Sequence, residues 1–220
     1  STSTQEGKSE SGGDIIYELY PAGKYIVDIT SPDAGISYEV GEKINIKAAF
    51  SAQMETAKIT IDDVEVYKQD QASSNIEYEY TFTKAGKQTI KVIATKGEDE
   101  CSNSLALVVV EASTEKALPE GLEEGINYTG GNKVALVFRA PLSKSIYVLG
   151  DFNNWEKNED YHMYRHNVYD ASGNKTNTLF WLEFELDEVT KKYAFQYLVD
   201  DRVQVSGPYS KVILDPWNDK

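Results

Sequence analysis

The chain has 220 residues, more than one typical domain and enough for two domains that each bury a core. It carries 36 acidic and 22 basic side chains, a formal net charge of −14, which disfavours nucleic acid and anionic membranes as partners but does not repel a neutral sugar. The single cysteine, Cys101, excludes an internal disulfide and a closed thiolate metal site.

The composition favours strands over helices. There are 15 tyrosines and only 2 methionines, a balance typical of pleated, half-exposed strands. No run approaches the roughly 20 apolar residues of a membrane-spanning helix, so no membrane insertion is expected. We predict an all-β protein in which helices are scarce and short.

Residues 1–23 are predicted to form a flexible tether, because the opening is rich in Ser, Thr, Gly and charge. Residues 24–111 then show short alternating runs separated by turn residues, with residues 35–41 predicted as a turn. About seven strands are predicted here, which indicates an immunoglobulin-like sandwich acting as a spacer. The first strand is predicted at 25–30, and the second contains Ile44 and Ile46. The other five are predicted at 57–61, 64–67, 76–82, 88–95 and 104–110.

The alternation stops between residues 111 and 125, where the composition shifts to Glu, Lys, Ala and Gly, and we place a linker at 112–124. A second sandwich is predicted over 125–220, so the expected fold is two immunoglobulin-like β-sandwiches in tandem. Residues 161–174 are predicted as a loop that exposes both histidines, His162 and His166, to solvent. Strands are predicted at 133–139, 145–149, 179–186, 193–199, 203–205 and 212–214.

Two parts of the first half carry weak resemblances. Residues 82–94, FTKAGKQTIKVIA, resemble the late hairpin of bacterial immunoglobulin-like and polycystic-kidney-disease-like repeats, which stand beside many surface enzymes. The opening resembles the stretch that follows the lipid-modified cysteine in surface lipoproteins of gut Bacteroidetes, although that cysteine is absent from this sequence. These resemblances imply an extracytoplasmic location on the outer-membrane surface.

The second half carries the more specific motif, the run IYVLGDFNNW at 146–155. Three further pieces follow in order: FWLEF at 180–184, YAFQYLVD at 193–200, and the pairs Pro208-Tyr209 and Asp215-Pro216. Residues 120–220 therefore resemble family 48 carbohydrate-binding modules, the starch- and glycogen-binding sandwiches that precede the catalytic barrels of the α-amylase superfamily. The resemblance implies the non-catalytic N-terminal region of a family 13 glycoside hydrolase, with α-glucan and a downstream catalytic domain of the same chain as partners.

The run at 150–155 has a physical interpretation of its own. Gly150 is expected to let the chain turn sharply, and Asn153 and Asn154 tolerate left-handed geometry and can bond their own backbone. Trp155 would then project at the loop, where an indole can stack on a glucose ring while nearby amides bond its hydroxyls. The alternative is that Trp155 folds back to close the sandwich end and the asparagines serve only the turn.

Four other positions qualify or extend this interpretation. The second ligand-binding tryptophan of glycogen-binding family members falls at Val203, and their basic residue in the preceding strand aligns with Gln196, which can still donate a hydrogen bond. Trp181 shares a strand face with two glutamates and is expected to point outward, either to stack on sugar or to pack on a neighbouring domain. Trp217 is interpreted as an interdomain contact.

No catalytic residue, cofactor or metal site is predicted. The catalytic motifs of the α-amylase superfamily find no match, and two sandwiches leave no room for a barrel of about 250 residues. The pairs Asp62-Asp63 and Asp200-Asp201 are predicted to be hairpin turns rather than calcium sites. The leading functional hypothesis is an accessory region that supports a catalytic domain and holds α-glucan. The alternatives are a purely structural pair of modules without carbohydrate binding and a cell-surface adhesion protein.

Overall fold

A computed structural model of the protein describes residues 25–188 and 190–207. The first eight strands form a three-stranded sheet, β1-β3-β6, and a five-stranded sheet, β2-β8-β7-β4-β5, packed on one core. The bounds are β1 Val27–Ser31, β2 Ser37–Glu39, β3 Lys43–Met54, β4 Thr56–Ile61, β5 Val64–Gln69, β6 Ser73–Thr81, β7 Gly86–Lys96 and β8 Asp99–Val110.

Strand β3 shows how the sequence alternation produces this sandwich. Ile44, Ile46 and Ala48 are buried, whereas the residues between them are exposed, because successive side chains of a strand point to opposite faces. On the outer face, Lys43 and Lys47 form ion pairs with glutamates of the neighbouring β6, at 2.9 and 3.0 Å.

The prediction of a turn over residues 35–41 missed strand β2. Ser37–Glu39 pairs in parallel with β8, and the Tyr38 side chain is buried with its ring centroid 5.4 Å from that of Phe82. A three-residue strand is too short to show an alternation in sequence, so its pairing depends on a distant strand.

Seven more strands form a second sandwich, and none of them pairs with a strand of the first. The four-stranded sheet β12-β13-β10-β9 faces the three-stranded sheet β11-β14-β15. Their bounds are β9 Gly125–Gly130, β10 Lys133–Arg139, β11 Ile146–Gly150, β12 Tyr164–Tyr169, β13 Lys175–Glu185, β14 Phe195–Val199 and β15 Val203–Val205. The prediction of two immunoglobulin-like β-sandwiches in tandem is confirmed for the described residues.

The core of the second sandwich lies between its two sheets. Its buried members come from β10, β11, β13 and β14, together with Met163, which lies between the short 3₁₀ helix Glu159–Tyr161 and β12. They are Val134, Leu136, Ile146, Val148, Met163, Phe180, Leu182 and Tyr197. That 3₁₀ helix is the one helical element among the described residues.

The predicted loop over 161–174 was wrong in part, because it contains strand β12. This edge strand pairs antiparallel with β13, and Asp170 then closes the turn between them by accepting the backbone N–H groups of Ser172 and Asn174. Most β12 side chains are half-buried, and the strand mixes polar and aromatic residues, so no apolar alternation marked it in sequence.

The two predicted aspartate turns are confirmed as hairpin turns. Asp62 and Asp63, between β4 and β5, have φ of 49° and 66°, and Asp200 and Asp201, between β14 and β15, have φ of 51° and 52°. Paired left-handed residues are the conformation of a type I′ turn, which aspartate tolerates better than most residues.

Candidate functional site

The corner that follows β11 depends on Gly150. A Cβ at this position would lie 2.6 Å from the carbonyl oxygen of Ala194 and 2.9 Å from the ring of Phe152. The chain does turn sharply at Gly150, whose carbonyl accepts the Asn153 and Trp155 N–H groups at 3.1 and 3.0 Å, but Gly150 itself is not in the left-handed region. The glycine is required because β11 and the chain entering β14 approach too closely for a side chain.

Asn153 holds the corner together with its own side chain. The Gly150 N–H donates to Asn153 Oδ1, and Asn153 Nδ2 donates to the Val148 carbonyl, both at 2.8 Å. Both asparagines were expected to tolerate left-handed geometry. Asn154 adopts the left-handed conformation, with φ of 55°, but Asn153 does not. Both polar atoms of the Asn153 amide are therefore hydrogen-bonded to the backbone of the corner, whereas the Asn154 side chain is exposed.

Trp155 is held at the surface of this corner. Its side chain remains exposed, with a relative accessibility of 40%, and its backbone is left-handed with φ of 61°. The indole Nε1–H donates to Asp151 Oδ1 at 3.0 Å, and Asp151 Oδ2 accepts the Ala194 N–H at 2.8 Å. The carboxylate thus ties the indole to the chain entering β14 and fixes its orientation.

The strand pairing brings Gln196 to the same end of the sheet. Gln196 lies opposite Leu149 in the β11–β14 ladder, one position before Gly150, and is half-buried. Val203 pairs with Val199 at the other end of β14 and is 54% exposed. The candidate residues Asn153, Asn154, Trp155 and Gln196 therefore share one corner, from which Val203 is separated.

The segment after Trp155 folds over the outer face of β11. Lys157 forms an ion pair with Asp201 at 2.8 Å, and its Nζ lies 4.4 Å from the centroid of the Tyr147 ring. The Tyr147 ring, in turn, stacks on His162 with a centroid distance of 4.0 Å. This covering leaves the Tyr147 side chain buried although it points away from the core.

Trp181 points away from the sandwich core, as expected, but only 4% of its surface is accessible. It is covered by Lys116, from the segment that precedes β9. The indole Nε1–H donates to the Lys116 carbonyl at 3.1 Å, and Lys116 Nζ lies 5.0 Å from the ring centroid. Alternation predicts the face of a strand but not what covers that face. Trp181 is therefore separate from the Trp155 corner and is not a surface for sugar.

The expected exposure of His162 was also wrong. Its side chain is 13% exposed, and its Nε2 lies 2.9 Å from Ser145 Oγ and 3.1 Å from Ser113 Oγ. Its Nδ1 lies 3.5 Å from Glu159 Oε2. Although serine, histidine and glutamate are the groups of a nucleophilic triad, both serines are 1% exposed, so no substrate reaches their oxygens.

Burial lowers the pKa of His162, against the opposing effect of the Glu159 carboxylate. Glu159 is three residues away, but the two serines lie 17 and 49 residues from His162, so no local pattern marks the cluster. His166 lies on β12 and is half-buried, and the two histidines do not share a helix. Across residues 25–188 and 190–207 there is no group of three or more His, Cys, Asp or Glu side chains placed to hold a metal ion.

Trp217 and the pieces Pro208-Tyr209 and Asp215-Pro216 lie outside the described residues, as do the tether and the strand predicted at 212–214. In the part of the chain that is described, no helix has the length and apolar character needed to cross a membrane.

Comparison with known proteins identifies no family. The chain matches no protein-family model and no curated protein. Solved structures do match at low identity. The fibronectin(III)-like modules of Clostridium thermocellum CbhA are 15% identical, with a TM-score of 0.36, and the match covers 82% of this chain and 89% of that one. The human OSCAR ligand-binding domain is 12% identical, with a TM-score of 0.32 and coverage of 83% and 93%.

A calcium-binding mutant of Bacteroides uniformis beta-glucuronidase 2 is 8% identical, with a TM-score of 0.35, and the match covers 85% of this chain but 29% of that one. At these scores the likenesses add nothing to the fold described above. The resemblance to family 48 modules stays a prediction.

Proposed function

We propose that the chain is a non-catalytic accessory region of an α-amylase-type glycoside hydrolase, in which the second sandwich holds α-glucan and the first acts as a spacer. The observation that carries the proposal is the exposed Trp155 side chain, tied by its indole nitrogen to Asp151. Retaining a polymer beside a catalytic domain raises its effective concentration there without any new chemistry.

The Trp155 corner suits a neutral sugar. The Trp155 side chain is 40% exposed and can stack on a sugar ring, and its fixed orientation reduces the entropy lost when a ring is bound. The exposed amide of Asn154 and the amide of Gln196 at the same end of the sheet supply donors and acceptors for ring hydroxyls. A glucan also experiences no long-range repulsion from a chain of net charge −14.

A purely structural pair of modules is the second candidate, and two observations favour it. The amide of Asn153 bonds only its own corner, and the predicted second platform, Trp181, is covered by Lys116. A site that depends on one exposed indole has a small contact area. The same experiment therefore decides between the two candidates.

The wider setting follows from the same proposal. A catalytic domain follows on the same chain, and the region stands outside the cytoplasm on the outer-membrane surface. The Ser-, Thr- and Gly-rich opening at residues 1–13 supports a tether in that setting. Measuring the affinities for starch, glycogen and maltooligosaccharides identifies which of them the region prefers.

Isothermal titration with maltoheptaose and with soluble starch tests the proposal. We expect binding by the wild type, loss of at least about tenfold in affinity in Trp155→Ala, which corresponds to about 1.4 kcal/mol, and partial retention in Trp155→Phe. The matched control is Tyr128→Ala, which removes an 84% exposed aromatic from β9. The absence of heat with the wild type, or equal affinity in Trp155→Ala, would establish the structural candidate instead.

A further inference from the structure

The covalent connection between the sandwiches is very short. Val110, the last residue of β8, accepts the Val40 N–H at 3.1 Å and so belongs to the first sandwich. Ser113 belongs to the second, because its N–H donates to the Lys144 carbonyl at 3.0 Å and its buried Oγ accepts the Ile146 N–H at 3.3 Å. Two residues, 111 and 112, therefore separate two anchored positions.

The residues after Ser113 continue as part of the second sandwich. The Arg165 N–H donates to the Thr114 carbonyl at 2.8 Å, and the Lys116 N–H donates to the Arg165 carbonyl at 2.9 Å, so this segment lies parallel to β12. Trp181 then fixes the Lys116 carbonyl from the neighbouring strand. The segment predicted as a linker is thus bonded along its first part and has little freedom to swing.

Two ion pairs cross between the sandwiches beside this connection. Glu39 Oε2 lies 3.2 Å from Arg165 Nη1, and Glu42 Oε2 lies 3.4 Å from Lys144 Nζ. The four side chains are only 20–29% exposed, so salt screens these pairs less than pairs at the open surface.

The ion pairs attach to backbone that is itself held in place. The Glu39 N–H donates to Glu42 Oε2 at 3.0 Å within the turn between β2 and β3. On the other side, the Lys144 N–H donates to Asp200 Oδ1 at 2.8 Å, and the backbone of Arg165 carries the bonds to the connecting segment. The Glu39–Arg165 pair therefore joins two strands, and the Glu42–Lys144 pair joins two loops that are themselves hydrogen-bonded.

A third contact lies apart from these pairs. Arg202 Nη1, at the β14–β15 turn, donates to the Gly35 carbonyl at 3.2 Å. In the first sandwich the contacts come from β2 and the residues beside it. In the second they come from β12, the loop before β11 and the β14–β15 turn, so they restrain the junction at more than one place.

From these contacts we infer that the two sandwiches move as one body, with their angle fixed by the Glu39–Arg165 and Glu42–Lys144 pairs across a two-residue connection. The inference is independent of glucan binding, since none of its residues lies in the Trp155 corner. Its consequence is that the first sandwich is a spacer of fixed direction and not a flexible arm.

Residual dipolar couplings on the whole chain test this inference, because they give an alignment tensor for each sandwich separately. We expect equal tensors in the wild type. Glu39→Gln with Glu42→Gln removes both ion pairs but keeps the size of the side chains, and we expect the tensor magnitudes to differ by about twofold or more. The matched control, Glu77→Gln with Glu79→Gln, removes the same charge from the two outer-face pairs with Lys47 and Lys43, and should keep equal tensors.

Unequal tensors in the wild type would overturn the inference, and so would equal tensors in the Glu39 and Glu42 double variant. A second variant, with Gly-Ser-Gly-Ser inserted between residues 111 and 112, leaves every side chain of the junction in place. If the ion pairs hold the angle, its tensors remain closer to equal than those of the double variant. The reverse order would mean that the short connection alone sets the angle, which also contradicts the inference.

Discussion

At the scale of single residues, the surroundings of His162 move its pKa away from the ordinary value of a histidine. Burial lowers its pKa, and the charged groups that face it are Glu159 and Lys157 from its own segment and Asp201 from the β14–β15 turn. By contrast, the pKa of Tyr147, whose ring stacks on His162, is raised, first through burial and then through its hydrogen bond to Glu159. Burial between two serine hydroxyls and an aromatic ring therefore disfavours the protonated imidazole.

This environment predicts a pH dependence of stability. Because the folded pKa of His162 lies below the unfolded value of about 6.5, protonation favours the unfolded chain. The stability associated with the neutral imidazole is therefore fully present above the unfolded pKa and is lost as the pH falls through the folded pKa. We expect the free energy of unfolding in urea to fall more between about pH 7.5 and pH 5 in the wild type than in His162→Gln. Taking the difference between the two proteins cancels the other titrating groups, so parallel pH profiles would contradict the assignment.

At the scale of elements, strands with an apolar alternation or a continuous apolar run were predicted from sequence, and β2, β9 and β12 were missed. The predicted and observed bounds of β10 agree, at Lys133–Arg139, because apolar side chains fill its interior. Strand β9 was missed because its outward-tilted Ile126 and Tyr128 lie uncovered at a sheet edge, 44% and 84% exposed. Such edge strands are defined by their hydrogen-bonding neighbour, which local sequence does not contain.

The segment that covers Trp181 was missed for the same reason, and it leads to a prediction. Trp181→Ala removes a buried indole and leaves the Lys116 carbonyl without its donor, so we expect a loss of about 3–5 kcal/mol in unfolding free energy. Trp155→Ala should lose about 1 kcal/mol or less, because its side chain is largely at the surface. Urea unfolding of both variants checks this contrast, and equal losses would contradict the burial of Trp181.

At the scale of the whole molecule, contiguous features were predictable and assembled ones were not. The Trp155 corner was found from sequence because residues 150–155 make most of its bonds to one another. The contact of Lys144 with Glu42 joins positions 102 residues apart, and that of Arg165 with Glu39 joins positions 126 apart. Sequence periodicity does not indicate which distant residues contact each other. The contacts between the two sandwiches could therefore not be predicted from the sequence.

The claim on which the functional account depends is that the exposed indole of Trp155 is the surface that meets glucan. The most direct measurement follows the indole ¹⁵N–¹H signals, assigned through Trp155→Phe and Trp181→Phe variants, while maltoheptaose is added. The account predicts that the Trp155 signal moves and saturates while the signal of the buried Trp181 stays in place. A Trp155 signal that does not move at the highest sugar concentration, or a shift confined to Trp181, would contradict it.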